Sequence, residues 1–204
     1  MVAMPTAQKQ LLSEARAALA NPIDFEAFLA KLSAKDRTNA QRHLAAVEGE
    51  ADDRHGAIWR RLVCALMTLA PHAVKFNGQQ SVQFFIPDGK YRMQVFAIED
   101  LRDGKITLYC PNVLDEATSA GLFAKREAAG TPPNLYTIAG TDQHLTLEAL
   151  DGATPNPASF YKDMLGWNRK ALRITLPTKA TNHEVEAAEI LCAMSAQKWA
   201  TQAA

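Results

Sequence analysis

The sequence contains few of the residues and patterns that usually reveal a protein's chemistry. It has only three cysteines, Cys64, Cys110 and Cys192, which are far apart and lie in apolar runs. A disulfide framework or a zinc site needs cysteines in pairs at suitable spacing, so we expect neither. Cysteine in an apolar run usually acts as a small buried hydrophobe, and we predict that Cys110 is a core thiol.

The chain also lacks a charge imbalance and a long apolar run. Lysine plus arginine and aspartate plus glutamate each number 22, so the formal net charge is zero. Because a dedicated nucleic-acid-binding protein normally carries a basic excess, we expect no nucleic-acid partner. The longest apolar run, near residues 62–71, is far shorter than the roughly 20 residues that span a bilayer. The first ten residues show no signal-peptide pattern. We therefore expect a soluble cytoplasmic protein with no membrane partner.

Recognised catalytic and ligand-binding motifs are missing as well. The sequence contains no G-x-S-x-G, H-E-x-x-H, P-loop or G-x-G-x-x-G pattern. Its glycines lie mainly in predicted turns. We accordingly predict no metal site and no cofactor, and the motifs assign no reaction.

The clearest positive signal is a β-meander in the middle of the chain. Residues 82–86, 91–99 and 106–110 are rich in β-branched and aromatic side chains, and the turns between them contain Asp88-Gly89 and Asp103-Gly104. Glycine adopts the positive φ that tight hairpin turns require without steric cost. These residues predict three consecutive antiparallel strands.

The remaining elements predict an α+β fold. The first seventy residues show helical periodicity, including a short helix that we expect to start at Asn21-Pro22. Another helix is predicted over residues 114–129. A second hairpin is predicted from strands 135–139 and 144–150, followed by a strand at 171–176. We therefore predict N-terminal helices followed by a mainly antiparallel sheet of about six strands with interspersed helices.

Helix-start signals and the domain organisation complete this outline. Ser33 with Asp36, and Thr181 with Glu184, have the spacing of a capping box, in which each residue satisfies a free backbone N–H of the other. A further helix is expected near residues 156–165. We predict one α+β domain spanning residues 1–204, with a helical subdomain at residues 1–50 as the alternative.

Alternation along the meander assigns its residues to two faces of the sheet. The core face is predicted to contain Val82, Phe84, Ile86, Tyr91, Met93, Val95, Ala97, Ile106, Leu108 and Cys110. The second face is predicted to contain Gln83, Phe85, Arg92, Gln94, Phe96, Ile98, Thr107 and Tyr109. Such a mixed polar and aromatic face is typical of an antiparallel sheet that is only partly covered on one side.

These features favour a non-enzymatic module that binds a partner protein or a small-molecule ligand across the exposed sheet face. Arginine and aromatic side chains are favoured at interfaces, and loops held by rigid elements often carry function. Residues 75–80 are predicted to form such a loop before the first strand. The candidate binding residues are Arg92, Gln94, Tyr109, His144, Glu148, Lys75 and Asn77.

Two other interpretations remain open. The first is an enzyme whose site is assembled from dispersed polar residues, namely His144, Glu148, Arg92 and Tyr109. His144 and Glu148 share one face of a strand but lie about 13 Å apart along it, too far for a direct hydrogen bond. The second is a homo-oligomer assembled through the N-terminal helices.

Overall fold

The structure is a computed structural model. It describes residues 7–50, 53–71, 73–77, 81–88, 91–100, 105–124, 132–150, 171–177 and 179–203. The helix that the sequence predicts near residues 156–165 and the turn glycines Gly89 and Gly104 lie outside these ranges.

Within the described residues, helices come first, and the strands follow with two helices among or after them. The helices are α1 (Ala7–Ala18), α2 (Phe25–Lys31), α3 (Ala34–Glu50), α4 (Asp53–Leu69), α5 (Leu114–Ala120) and α6 (Asn182–Ala203). The strands are β1 (Ala73–Asn77), β2 (Ser81–Asp88), β3 (Tyr91–Asp100), β4 (Ile106–Pro111), β5 (Leu135–Thr137), β6 (His144–Leu150) and β7 (Ala171–Leu176). This order confirms the predicted α+β class, and the residues that the structure describes form seven strands instead of about six.

The start of α2 differs from the prediction. The helix begins after Asp24, whose side chain accepts a hydrogen bond from the Ala27 N–H at 2.7 Å, and not at Pro22. The reason is a tertiary contact: the Ile23 N–H donates to the Thr68 hydroxyl of α4 at 3.0 Å. This contact holds the chain against α4 before the helix starts, and aspartate then serves as the N-cap.

The predicted Thr181–Glu184 capping box forms in full, and the Ser33–Asp36 pair forms with a single backbone hydrogen bond. The Thr181 N–H donates to the Glu184 carboxylate at 2.6 Å, and the Glu184 N–H donates to the Thr181 hydroxyl at 3.3 Å. At α3 the Asp36 N–H donates to the Ser33 hydroxyl at 3.1 Å, while that hydroxyl donates to the Asp36 carboxylate at 2.7 Å. Aspartate in place of glutamate therefore engages the hydroxyl of the capping residue.

Helix α5 is shorter than the predicted span of residues 114–129. It ends at Gly121, which has a φ of 85°, and the Leu122 N–H then donates to the Ala117 carbonyl at 3.0 Å. This is the left-handed helix ending that glycine favours, since it has no Cβ. The chain turns away, and Phe123 forms an isolated β-bridge with Ile138.

The strands form one sheet in the order β1-β2-β3-β4-β7-β6-β5, and every neighbouring pair is antiparallel. Strand β7 lies between β4 and β6 and thereby joins the meander to the second hairpin. Strand β1 corrects the prediction of a loop at residues 75–80 as far as Asn77, and the rest of that range lies outside the described residues: Lys75 pairs with Gln83, and Asn77 pairs with Ser81. Phe76 is buried, so the strand is anchored by an alternating apolar side chain.

A β-bulge in β3 overturns part of the predicted face assignment. Phe84 pairs with Phe96, but the next residue of β2 pairs with Gln94, so Val95 has no partner in β2. One extra residue in a strand reverses the alternation on either side of it. Phe96 and Ile98 consequently lie on the core face, where both are buried, and not on the second face.

The helices cover one face of the sheet. Helix α6 packs on β4, where the Ser195 hydroxyl donates to the Pro111 carbonyl at 3.0 Å, and α1 in turn packs on α5 and α6. Cys110 is fully buried in this core, as predicted, and Cys64 and Cys192 are buried free thiols too. The largest fully buried side chains include Trp59, Phe28, Phe84, Phe96, Leu62, Leu66, Leu108 and Leu172. Within the described ranges, no helix combines the length and apolar character needed to cross a membrane.

Candidate functional site

The second face of the sheet, opposite the helices, carries a group of polar side chains from four strands. Tyr109 of β4 pairs with Arg173 of β7, which pairs with Glu148 of β6. In the adjacent row, Glu99 of β3 pairs with Thr107 of β4. Because directly opposed residues share a face, these five side chains lie on the same side of the sheet. We call Glu99, Thr107, Tyr109, Glu148 and Arg173 the polar cluster.

Glu99 and Tyr109 are joined by a hydrogen bond. The Tyr109 hydroxyl donates to the Glu99 carboxylate at 3.0 Å, and the tyrosine is only 4% exposed. Burial raises the pKa of Glu99 above its usual value, while the Tyr109 hydrogen bond and the positive charge of Arg173 act in the opposite direction. Glu99 is therefore a partly desolvated acid whose carboxylate is only partly compensated.

Arg173 and Glu148 form an ion pair at the more open side of the cluster. Their side chains are 40% and 38% exposed, respectively. At that exposure an ion pair adds little to stability, so its main effect is to fix the position of two charges. With both carboxylates ionised, the cluster contains two negative charges and one positive charge.

Thr107 contributes a buried hydroxyl. The residue is 2% exposed, and its Oγ1 has no hydrogen-bond partner in the described part of the protein. Leaving a buried polar atom unpaired costs about 1–3 kcal/mol. The two comparable atoms, His55 Nδ1 and Trp59 Nε1, belong to α4 on the helical side. Among the described residues of this face, the Thr107 hydroxyl is thus buried beside a carboxylate without a hydrogen bond that would offset the cost of its burial.

The structure brings some of the predicted site residues together and separates others. Tyr109 and Glu148 both flank Arg173. His144 is exposed, and its Nδ1 lies 3.0 Å from the Thr137 hydroxyl of β5. It therefore contacts the edge strand of the sheet and is not a member of the polar cluster.

The other predicted site residues lie on the meander side of the sheet. Lys75 is exposed on the edge strand β1, and Asn77 is on the same strand, with β2 and β3 between them and β4. Arg92 pairs with Pro87, and Gln94 pairs with Phe85 beyond the bulge. For Asn77, Arg92 and Gln94 the structure describes the backbone alone.

Sequence reasoning missed Glu99 and Arg173 as site residues. The alternation that placed Thr107 and Tyr109 on the second face extends to Arg173 only if β7 is known to pair with β4. Glu99 lies beyond the bulge from the start of β3, so counting from the start of the strand gives it the wrong face. The register of the sheet, rather than any local motif, creates the cluster.

Comparison with known proteins adds no assignment. No family model matches the chain, and no curated protein or solved structure is significantly similar to it. The described residues contain no group of three or more histidine, cysteine, aspartate or glutamate side chains arranged to hold a metal ion. The chemistry of the polar cluster is thus the basis for a functional interpretation.

Proposed function

We propose that this protein is a non-enzymatic binding module that takes a small polar ligand at the polar cluster on the second face of its sheet. The observation that carries the proposal is the buried Thr107 hydroxyl, which has no hydrogen-bond partner among the described residues and lies directly opposite the partly buried carboxylate of Glu99. Buried polar groups are nearly always hydrogen-bonded, and an exception calls for an explanation. A ligand that supplies the missing hydrogen bond provides one.

The burial of the cluster supports a small molecule over a partner protein. Tyr109 and Thr107 are 4% and 2% exposed, so contact with them requires neighbouring side chains to move, and a small ligand requires the smallest movement. A stable protein interface covers about 800 Å² on each partner and is centred on exposed anchor residues. Three free cysteines fit the reducing conditions of the cytoplasm, which is the location included in this proposal.

An enzyme is the second candidate, and the raised pKa of Glu99 favours it. A carboxyl group whose pKa is raised by burial is typical of general acids. If the protein is an enzyme, Glu99 and Tyr109 are the reacting groups. His144 is not one of them, because it contacts Thr137 on the edge strand and lies outside the polar cluster. The enzyme is supported if the protein converts a bound ligand into product and if Glu99→Gln abolishes this conversion while the variant still binds the ligand.

A ligand-observed NMR screen of small cationic, anionic and neutral polar compounds tests the binding module. We expect hits with the wild-type chain that lose saturation transfer in Glu99→Gln and Tyr109→Phe. Lys75→Gln serves as the matched control, because Lys75 is an exposed polar residue on the far edge of the same sheet. Hits that persist in both cluster variants, or no hit in any charge class, contradict the proposal.

A further inference from the structure

The hydrogen-bonding capacity left over at Glu99 and Thr107 is mainly that of acceptors. A carboxylate accepts up to about four hydrogen bonds. Within the described residues, Glu99 receives one, from the Tyr109 hydroxyl, and Arg173 is engaged in its ion pair with Glu148. The Thr107 hydroxyl, which can accept two hydrogen bonds and donate one, has no partner among these residues. Glu99 and Thr107 together therefore offer a ligand more acceptors than donors, which favours a ligand group that donates.

Register places the two free acceptors side by side. Glu99 and Thr107 are direct cross-strand partners, and the Cβ atoms of such pairs lie about 4.5–5.5 Å apart. Two side chains that rise from the same face at this spacing can accept hydrogen bonds from a single ligand atom. A donor atom with at least two N–H or O–H bonds matches this arrangement.

Charge narrows the choice of donor. Glu99 and Glu148 carry two negative charges when ionised, and Arg173 carries one positive charge, so the cluster has an excess of one negative charge. A cationic ligand group neutralises this excess, whereas an anionic group adds to it. Since the carboxylate of Glu99 is partly desolvated, attraction to a cation is stronger there than at an exposed carboxylate.

We propose that the polar cluster binds the primary ammonium group of a small organic ligand, which donates N–H bonds to the Glu99 carboxylate and to the Thr107 hydroxyl. This inference rests on the proposed function and names its ligand class. A primary ammonium has three donors and no acceptor on one compact atom. A guanidinium spreads five donors over a planar fork, which suits bidentate pairing and needs more room beside a hydroxyl that is 2% exposed than a single ammonium nitrogen does. A quaternary ammonium has the charge but no N–H donor.

Four probes of similar size distinguish these cases. Backbone amide shifts of Glu99, Thr107 and Tyr109 are followed in the full-length, isotopically labelled chain during titration with n-butylammonium, n-butyltrimethylammonium, n-butanol and butyrate. We expect saturable shifts with n-butylammonium and a dissociation constant in roughly the millimolar range, given its few heavy atoms. The trimethyl analogue should bind at least about tenfold more weakly, because hydrogen bonds to charged groups are strong.

Variants assign the contacts within the cluster. Glu99→Gln and Thr107→Val should each weaken n-butylammonium binding about tenfold or more. Thr107→Ser keeps the hydroxyl and should retain binding, as should Thr175→Val, which changes the next threonine in the same row. If Thr107→Val does not fold, Glu99→Gln and Thr107→Ser still decide the question. Unchanged affinity in Glu99→Gln, or lost affinity in Thr107→Ser, overturns the proposal.

The same titrations separate this inference from the proposed function. If butyrate or n-butanol shifts the cluster resonances and n-butylammonium does not, the ammonium proposal is overturned while the binding site stands. If none of the four probes shifts those resonances and the broader screen gives no hit, both proposals fail. Equal binding of the primary and quaternary ammonium probes also overturns the inference, since it shows that charge alone is recognised.

Discussion

Glu99 is a partly buried carboxylic acid of the polar cluster, and its burial affects both its pKa and the stability of the protein. Because burial raises the pKa of Glu99, the folded protein holds this proton more tightly than the unfolded chain. Between the unfolded pKa, near 4.3, and the higher folded pKa, the folded state binds more protons, so the free energy of unfolding falls as pH rises through this window. At neutral pH the ionised Glu99 therefore lowers stability.

Glu99→Gln removes this titration and tests its sign. The amide oxygen still accepts the Tyr109 hydrogen bond, but it carries no charge. We expect the stability of the variant relative to wild type to increase between about pH 4 and pH 7, measured by urea unfolding at both values. A constant difference contradicts this assignment. Together with the expected loss of ligand binding, a gain in stability is characteristic of a residue retained for function and not for folding.

An ion pair joins helices α4 and α6. Arg61 of α4 donates two hydrogen bonds to the Glu189 carboxylate of α6, at 2.8 and 2.6 Å. Burial raises the pKa of Glu189, and the Arg61 hydrogen bond opposes this shift. The Glu189 side chain is 8% exposed and that of Arg61 is 41% exposed, so the carboxylate depends more on the pair than the guanidinium does.

Removal of Arg61 should therefore destabilise the protein through its partner. We expect Arg61→Met to lower the free energy of unfolding by about 2 kcal/mol, less than for a fully buried pair because the arginine is partly exposed. Adding Glu189→Gln should recover part of this loss, since no buried charge is then left unpaired. Chemical denaturation of the two single variants and the double variant measures the coupling. Additive losses contradict the interpretation.

Elements with local signals could be predicted from the sequence, whereas elements set by tertiary contacts could not. The Thr181–Glu184 capping box correctly predicts the start of α6, because both partners lie within one helical turn. In contrast, Val95 gives no local sign that it forms a bulge, yet the bulge reverses the faces of Phe96 and Ile98. Strand β1 was missed because it is short and runs directly into the polar residues 78–80, so that its pairing with β2 is what identifies it as a strand.

The candidate site could be predicted only in part, for the same reason. Tyr109 and Glu148 were identified from the alternation of their own strands. Their common neighbour Arg173 depends on β7 pairing with both β4 and β6, a relation between segments far apart in sequence. Glu99 required knowledge of the bulge. Long-range pairing thus limited the prediction of the site more than the recognition of its residue types did.

At the scale of the whole molecule, the N-terminal helices and the sheet share one hydrophobic core. His43 of α3 packs edge-on against Phe76 of β1, with ring centroids 5.5 Å apart, and stacks on Trp59 of α4 at 6.2 Å. Leu12 and Phe28 belong to the same buried cluster as the sheet residues. These contacts favour one domain over a separate helical unit at residues 1–50.

We expect a single cooperative unfolding transition as a consequence. Tryptophan fluorescence, which includes Trp59 next to α3, and far-UV circular dichroism should give the same midpoint in urea. Because α1 also packs on α5 and α6, loss of the first helices should not precede loss of the sheet. An earlier fluorescence transition, separated from the main change in circular dichroism, instead supports a subdomain at residues 1–50.

The position of β7 between β4 and β6 determines when the two parts of the sheet can join while the chain is being synthesised. The meander and the second hairpin can each pair locally as they emerge, but they meet only through β7, which follows both in the chain. Until residue 176 has left the ribosome, β4 and β6 each have one unpaired edge, and Tyr109 and Glu148 lack their shared Arg173. The polar cluster of a nascent chain is therefore assembled in one late step, when β7 pairs with both β4 and β6.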